Sequence, residues 1–509
     1  MGLFGKKSDS PEGLEAILDK SLYTPPGSKT PITWADAVEG TMITGASGSG
    51  KSSGPGKHIA YAMLKAGYGF CVLCAKPDER ERWEHYAKAT GREKDLVIFN
   101  KSSPYSFNFL GYEMERKGDG AGDILNVINT LMNLSEQSKV YQSGGAGQND
   151  EKFWDNALRR LLSRSIALLK LSGEEVSIQN MRKIVSQCFR EDEPKLYAKL
   201  RRIISSPDSI DPNERREAKN DLNYWIQSSY FLQVIDRLES NGAGKSDQGL
   251  IVLDYWLKEF PKLSDRTASI IIESFMGIVE PFLMEGILKD KFSSGLSKEL
   301  LPETIISDRK IVIIDFPLKE FGISGIYAAT IYKSIFQAAM ERRKLTEEEN
   351  PVPVALWIDE YASFCNPMSD SLFQTTARSS WVATVLIFQN LNNLYFVMGD
   401  KQPEVRAKSL LGNLGLKIFA SNADIETNQW ASDMVGKHLV DLTNLTINHN
   451  EELSKTKNQQ FQYRITPDHF TKLKTGRKAN GYKVEAVVFK PGKTWGSTED
   501  NFLIASFKQ

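Results

Sequence analysis

The sequence has little of several things, and each shortage narrows what the chain does. Only four cysteines, Cys71, Cys74, Cys188 and Cys365, occur in 509 residues. A chain this long buries a large core without covalent staples, so few cysteines argue against a disulfide scaffold and suit a reducing interior. Cys71 and Cys74 form a C-x-x-C, but they sit inside the apolar run Phe70-Cys71-Val72-Leu73-Cys74. Residues three apart on a strand point to opposite faces, and no second Cys or His pair has zinc spacing. Two buried thiols, rather than a metal or redox site, are expected. The five histidines (His58, His85, His438, His449, His469) show no metal spacing, and no Ser-His-Asp or Cys-His arrangement is visible. Net charge is also missing: 64 Lys and Arg balance 64 Asp and Glu. That argues against a protein that coats nucleic acid by bulk charge, so any polyanion has to meet a local patch or a channel. No uninterrupted apolar stretch approaches the roughly 20 residues that span a bilayer. Met1-Gly2-Leu3-Phe4-Gly5-Lys6-Lys7 turns polar too soon for a signal peptide. A soluble, cytoplasmic chain that docks at most peripherally on a membrane complex is expected.

What is present is an ordinary globular composition, 41% hydrophobic and 25% charged, in a chain long enough for two to four domains. Residues 1–30 are polar and end in Thr24-Pro25-Pro26-Gly27, which reads as a flexible tether. From Thr41 the pattern is strand, Gly-rich turn, helix, with further strands at Gly69 to Ala75 and Asp95 to Phe99. From about Gly111 helical periodicity takes over, as in Phe153-Trp154-Leu158-Leu161-Leu162-Ile166 and a run from Ala268 to Leu288. Strand patterns return at Lys310 to Phe316, Val354 to Ile358, Val382 to Gln389 and Leu416 to Ala420, with a helix over about Gly325 to Arg343. Near-continuous apolar strands alternating with helices predict an α/β fold with a central, mainly parallel sheet covered on both faces. One α/β domain, residues 31–110 and 305–509, is then interrupted by an all-helical insertion domain, residues 111–304.

The strongest chemical signal is Gly45-Ala46-Ser47-Gly48-Ser49-Gly50-Lys51-Ser52, a full G-x-x-x-x-G-K-[ST] with Ser53 beside it. Glycines let such a loop wrap until several backbone N–H groups face one phosphate, and the following helix presents its positive end to the same anion. Lys51 would reach the β- and γ-phosphates, and the Ser52 hydroxyl would ligate Mg2+. A strand precedes the loop and a helix follows it, as a P-loop requires. Gly242-Ala243-Gly244-Lys245-Ser246 also carries G-K-S, but Glu239 stands where the first glycine belongs and a helical pattern precedes it; a solvated loop is expected there.

Val354-Ala355-Leu356-Trp357-Ile358-Asp359-Glu360 is an apolar strand ending in two acids, a Walker B pattern. Asp359 would hold the Mg2+ shell and Glu360 would orient and polarise the attacking water. Gln389, ending the next apolar strand, is placed to contact the γ-phosphate or that water, against the plainer reading of a polar strand end. Arg378, between those two strands, suits an arginine finger reaching a neighbouring subunit, or equally a surface ion pair. The basic clusters Arg159-Arg160, Arg201-Arg202, Arg342-Arg343-Lys344 and Lys472 to Lys483 read as solvated faces in a chain of zero net charge.

The order of these elements resembles the FtsK–HerA class of P-loop ATPases. Within it, the chain is most similar to TraG/TraD-type conjugative coupling proteins of type IV secretion. The resemblance lies in Gly45 to Ser52, Phe153-Trp154-Asp155-Asn156-Ala157-Leu158, Trp357-Ile358-Asp359-Glu360-Tyr361, Ile387 to Leu394, Asn413 to Gly436 and Ile465-Thr466-Pro467-Asp468. Together these cover most of residues 35–490. The resemblance implies a RecA-like domain, ATP and Mg2+ as cofactors, and a homo-hexameric ring that moves DNA or a nucleoprotein. Nucleotide would sit between subunits, with Lys51 and Glu360 from one chain and Arg378 from its neighbour. The insertion would recognise cargo or a relaxase, secretion-channel or nuclease partner. Two departures stand out: the family's transmembrane start is missing from this sequence, and Cys74-Ala75-Lys76-Pro77-Asp78-Glu79 matches only loosely the family's acid-then-Lys-Gly-Glu stretch. Other readings are a HerA-like ATPase in DNA processing or mobile-element defence, and an ATP-dependent switch or scaffold that moves nothing.

Overall fold

The computed structural model describes residues 11–142, 151–206, 210–399, 402–447, 453–496 and 500–509. The amino-terminal Met1 to Lys7 stretch and His449 lie outside them. Two compact units result: residues 1–100 with 301–509, and residues 101–300.

The first unit is built on a nine-stranded sheet. In chain order its strands are β1 (Thr41–Thr44), β2 (Gly69–Cys74), β3 (Leu96–Phe99), β4 (Ile311–Asp315) and β5 (Val354–Ile358), then β6 (Val382–Phe388), β7 (Leu416–Ala420), β8 (Lys483–Phe489) and β9 (Phe502–Lys508). Their spatial order is β9-β8-β7-β1-β6-β5-β2-β4-β3. From β7 to β3 every pairing is parallel. The sheet ends antiparallel on one side, where β8 pairs with β7 and β9 with β8. Helices cover both faces, so β1, β2 and β4 to β7 are buried at every residue, which is why they read as unbroken apolar runs rather than alternations. The fold is thus α/β and RecA-like, with a mainly parallel sheet as the patterning predicts. The last two strands escaped prediction because β9 alternates buried and exposed residues and β8 lies beside a lysine-rich stretch.

Cys71 and Cys74 are buried in β2 and, like Cys188 and Cys365, are free thiols. Burial pushes both thiols up, out of the range of a reactive thiolate. Within residues 1–30, the described part holds a helix, Pro11–Leu18, and a short strand, Ser21–Tyr23, paired with Ile32–Thr33. The helix expected over Gly325 to Arg343 ends at Glu341, and a helical turn from Leu318 precedes it across a kink at Gly322, whose φ +53° and ψ −132° are not helical. A two-stranded antiparallel ribbon, Lys437–Ile447 with Leu453–Tyr463, stands apart from the main sheet. Lys437–Ile447 carries apolar residues (Leu439, Val440, Leu442, Leu445, Ile447) broken by polar ones, and Leu453–Tyr463 is mostly Lys, Gln, Asn, Ser and Thr, so neither shows the unbroken apolar run of the main sheet.

One residue of β7 runs against its surroundings. Lys417 is buried in the sheet and its ammonium donates to the Leu414 carbonyl. Burial, and then the charge of Lys490, bring its pKa down from 10.5 to about 8. A lysine lowered on folding weakens the fold wherever it must carry a proton. Stability should therefore be lowest below pH 8 and rise between about pH 8 and 10.5 as the buried amine gives up its charge. At about 1.4 kcal/mol per pH unit, the gain is about 3 kcal/mol at most. Lys417→Met is expected to raise the denaturation midpoint at pH 7 and to flatten this alkaline rise. Equal midpoints for the two chains at pH 7 would show that Lys417 carries no such penalty.

The described part of residues 101–300 is mainly helical, including Ile124–Gln142, Glu151–Ser172, Pro212–Ser228 and Asp265–Val279. The apolar run from Ala268 to Leu288 is not one helix: Pro281 and Gly286 (φ +149°) divide it, and Ile287–Phe292 forms the next. The second G-K-S forms a single 3-10 turn, Ala243–Lys245, between two helices, and Ser246 caps the second of them. Two clusters expected to be solvated are paired instead. Arg201 binds Tyr197, Asp236 and Glu239 within the helical unit. Arg343, in the sheet unit, is buried against Glu348 and the carbonyls of Ser380 and Val352.

Candidate functional site

Parallel strands deliver their carboxyl ends to one edge of a sheet, where loops carry the functional side chains. Here β1 ends at Thr44, β6 at Phe388 and β5 at Ile358, and β6 lies between the other two. The residues after those ends are therefore neighbours: Gly45 to Ser53 after β1, Gln389 after β6, Asp359 and Glu360 after β5.

The loop after β1 is pinned at its base, where Ala46 donates its N–H to the Ser421 carbonyl at 2.9 Å. Gly50 takes φ +85°, and a Cβ there would come within 2.4 Å of Val484 on β8. Only glycine meets both demands, the left-handed backbone and the close approach. The chain then enters a π-helical turn, Ser52–Gly56, before settling into the helix Lys57–Lys65. Gly54 donates to Gly50 and Gly56 to Lys51 across that turn, a local loosening typical of functional helix starts.

Lys51 is 6% exposed. Burial lowers its pKa, against the opposing pull of the carboxylates of Glu360 and Asp359. Asp359 is buried, receives the Glu360 N–H at 3.1 Å and faces Arg82 at 3.4 Å. Glu360 has φ +57° and ψ +51°. A left-handed glutamate is strained by about 1–2 kcal/mol, and strain of this kind concentrates at functional sites. One Glu360 oxygen is bound by the Lys76 ammonium, the other receives Gln389 Nε2 at 3.4 Å. Burial would raise its pKa, but the Lys76 hydrogen bond and the charges of Lys51 and Lys76 outweigh that, so the carboxyl lies below its ordinary range. Gln389 also accepts from Asn393 at 3.2 Å, and its carbonyl takes hydrogen bonds from Thr44 Oγ1 (3.0 Å) and Asn422 Nδ2 (2.9 Å).

The site thus holds an ammonium, two carboxylates and an amide around a glycine loop. A glycine loop opening a helix can cradle phosphates, Ser52 and Asp359 can supply oxygen to a hard cation, and an ionised Glu360 can polarise a water. The structure brings Lys51, Ser52, Asp359, Glu360 and Gln389 to one edge. Arg378 is not among them. It precedes β6, at the other end of the sheet from the loop, with its side chain 67% exposed and 3.8 Å from Glu39.

Several residues here were not singled out in the sequence. Lys76 and Arg82, which bind Glu360 and Asp359, belong to the segment after β2, where the family pattern is loose. Glu79 is buried there too; burial, then the charge of Asp359, push its carboxyl well above the usual range. The only sequence signal for it is an acid at the third position of a helix opened by Pro77. Arg477 brings Nη2 to 3.4 Å from where a Cβ on Gly48 would sit, and Gln509 donates to Ser53 Oγ at 2.6 Å. Both come from segments more than 400 residues along the chain, beyond the reach of local pattern.

Residues 353–475, which include Asp359, Glu360, Arg378 and Gln389, match the family described as the TraM recognition site of TraD and TraG. No curated protein matches the chain. Among solved structures, it is similar to the bacterial conjugative coupling protein TrwBdeltaN70 in an unbound form. That match is 15% identical with a TM-score of 0.58, covering 97% of this chain and 89% of that one. The plasmid coupling protein TrwB in complex with ADP and Mg2+ matches at 15% identity and TM-score 0.58, covering 98% and 93%. TrwB with the non-hydrolysable ATP analogue ADPNP matches at 15% identity and TM-score 0.57, with the same coverage. At such identity the likeness is one of fold. Among the described residues no helix is long and apolar enough to cross a membrane. Residues 353–475 thus match a segment family of TraD and TraG, and the chain as a whole shares its fold with the coupling protein TrwB.

Proposed function

We propose that this chain is an ATP-hydrolysing, DNA-translocating motor of the coupling-protein type. In this reading it works as a homo-hexameric ring in conjugation or type IV secretion. The observation that carries the proposal is the convergence of Lys51, Asp359, Glu360 and Gln389 at adjoining strand ends. The loop Gly45 to Ser53 binds the phosphates of ATP, with Lys51 on the β- and γ-phosphates. Ser52 and Asp359 hold Mg2+, which supplies charge neutralisation on the phosphates. Glu360 accepts a proton from the attacking water while Gln389 orients that water. Arg378 acts from a neighbouring copy: its exposed contact with Glu39 is weak enough for a phosphate to displace it. The helical unit, residues 101–300, engages cargo or a relaxase, channel or nuclease partner. The nucleotide-bound coupling proteins of the same fold support ATP and Mg2+ as the ligands.

The test is ATP turnover by the purified chain, with and without single- and double-stranded DNA. Turnover that rises with DNA supports the motor, and the more effective form identifies the cargo. Turnover indifferent to both forms would overturn autonomous DNA pumping.

Lys76 bears directly on the chemistry. It holds the Glu360 carboxyl below its usual range, so Lys76→Ala is expected to let that pKa rise. The acid limb of the pH–rate profile, below which the base is protonated, should then move to higher pH. An unmoved acid limb would show that Lys76 leaves Glu360 once nucleotide is bound.

A further inference from the structure

The segment after β2 leaves one buried carboxyl group unexplained. Glu79 is 3% exposed and sits in the first turn of the helix Pro77–Ala89. One of its oxygens has a plain structural role. Oε2 accepts the Ala75 N–H at 2.8 Å and so fixes the entry to the helix. The other, Oε1, is buried with no hydrogen-bond partner among the described residues. A glutamine would serve the helix entry equally well, because its amide oxygen accepts the same bond. The helix therefore accounts for the shape of this side chain but not for its charge.

The surroundings account for the charge. Glu79 lines a cavity of about 10 Å³ together with Ser52, Asp359, Arg82, Trp83 and Trp357, about the room of one water-sized sphere. Two of these are the residues given to Mg2+ above. A bare carboxylate oxygen in a buried space beside a second carboxylate is costly, and such groups in native structures are paired or face a cation. Lys76 and Arg82 both act on Glu79 as opposing charges, yet neither binds Oε1: Lys76 binds Glu360, and the ion pairs of Arg82 go to Asp359 and Asp78. Mg2+ favours oxygen ligands and is commonly held through one or two carboxylates plus phosphate, keeping several of its waters.

We propose that Glu79 is the second carboxylate of the nucleotide-bound Mg2+ site, facing the ion across the cavity it shares with Ser52 and Asp359. The inference rests on the P-loop reading above and extends it to a residue outside both phosphate motifs. Its role is to hold and orient the ion and its waters; Glu360 remains the group that accepts the proton.

The experiment is a Mg2+ titration of the full-length chain at a fixed concentration of fluorescent ADP, with the affinity in EDTA measured alongside. Glu79→Gln keeps volume and the bond to Ala75 while removing the charge. It should need on the order of 10- to 100-fold more Mg2+ for half-maximal response, with its EDTA affinity equal to that of the unaltered chain. A Glu79→Gln curve that overlies the unaltered one overturns the proposal and leaves the P-loop reading intact. Failure of the unaltered chain to bind ADP with or without Mg2+ overturns the P-loop reading itself, and this inference with it. If Glu79→Gln does not fold, Glu79→Asp decides. It keeps the charge but withdraws it by one methylene, so its half-saturation should also move to higher Mg2+, and an unshifted curve overturns the proposal.

Discussion

Glu360→Gln is expected to reduce ATP turnover by roughly 10²- to 10⁴-fold, the range that a positioned general base contributes, while leaving ATP binding near its original strength. The two side chains have the same shape, so the left-handed turn at 360 survives the exchange, although the amide keeps only one of the two acceptor oxygens that Lys76 and Gln389 use. What is lost is the negative oxygen that draws a proton from water. Lys51→Ala should separate from this cleanly. It removes a charge at the phosphates, so binding and turnover fall together. Isothermal titration with a non-hydrolysable analogue, beside steady-state turnover, distinguishes the pair. Retained turnover in Glu360→Gln would assign the water to another group, and retained binding in Lys51→Ala would remove the loop from the phosphates.

Loss of the Asp370 carboxylate is expected to destabilise the sheet unit by about 3–5 kcal/mol, the usual cost of stranding a buried charge. Asp370 lies in the helix Pro367–Thr376 and collects four donors: Lys333 Nζ at 2.7 Å, Tyr361 Oη at 2.8 Å, the Asn366 N–H at 2.8 Å and Gln337 Nε2 at 3.0 Å. The Lys333 side chain is 0% exposed, and its ammonium also donates to the Phe364 carbonyl at 2.6 Å. In Asp370→Ala that ammonium stays buried beside a carbonyl, without the carboxylate that balances its charge. The double change Lys333→Met with Asp370→Leu should recover much of the loss, because removing both charges also removes their desolvation. Chemical denaturation of the two variants beside the unaltered chain measures this, and equal midpoints for the single and double variants would contradict it. Tyr361 follows Glu360 directly, so the same hub braces the strained turn that carries the Glu360 carboxylate. Turnover in the double variant is expected to fall even where stability returns, since the tyrosine has lost its acceptor.

The sequence by itself determined the seven parallel strands of the sheet and the glycine loop. Both are local: a buried parallel strand must be apolar throughout, and a loop wrapping a phosphate must place glycine and lysine at fixed spacing. The same locality made Asp359, Glu360 and Gln389 readable as strand ends. Tertiary structure alone decided which of those ends meet, because strand order is set by non-local pairing: β6 stands between β1 and β5 although β2 to β5 separate it from β1 in the chain. It also decided what could not be read at all. Lys76 on Glu360, Arg82 on Asp359, the bare oxygen of Glu79, Arg477 beside Gly48 and the Lys333–Asp370 hub join residues whose individual positions look like ordinary surface charge. Sequence periodicity records how much of a residue is buried. It does not record which opposite charge waits for it there, and that pairing is decided by the tertiary structure alone.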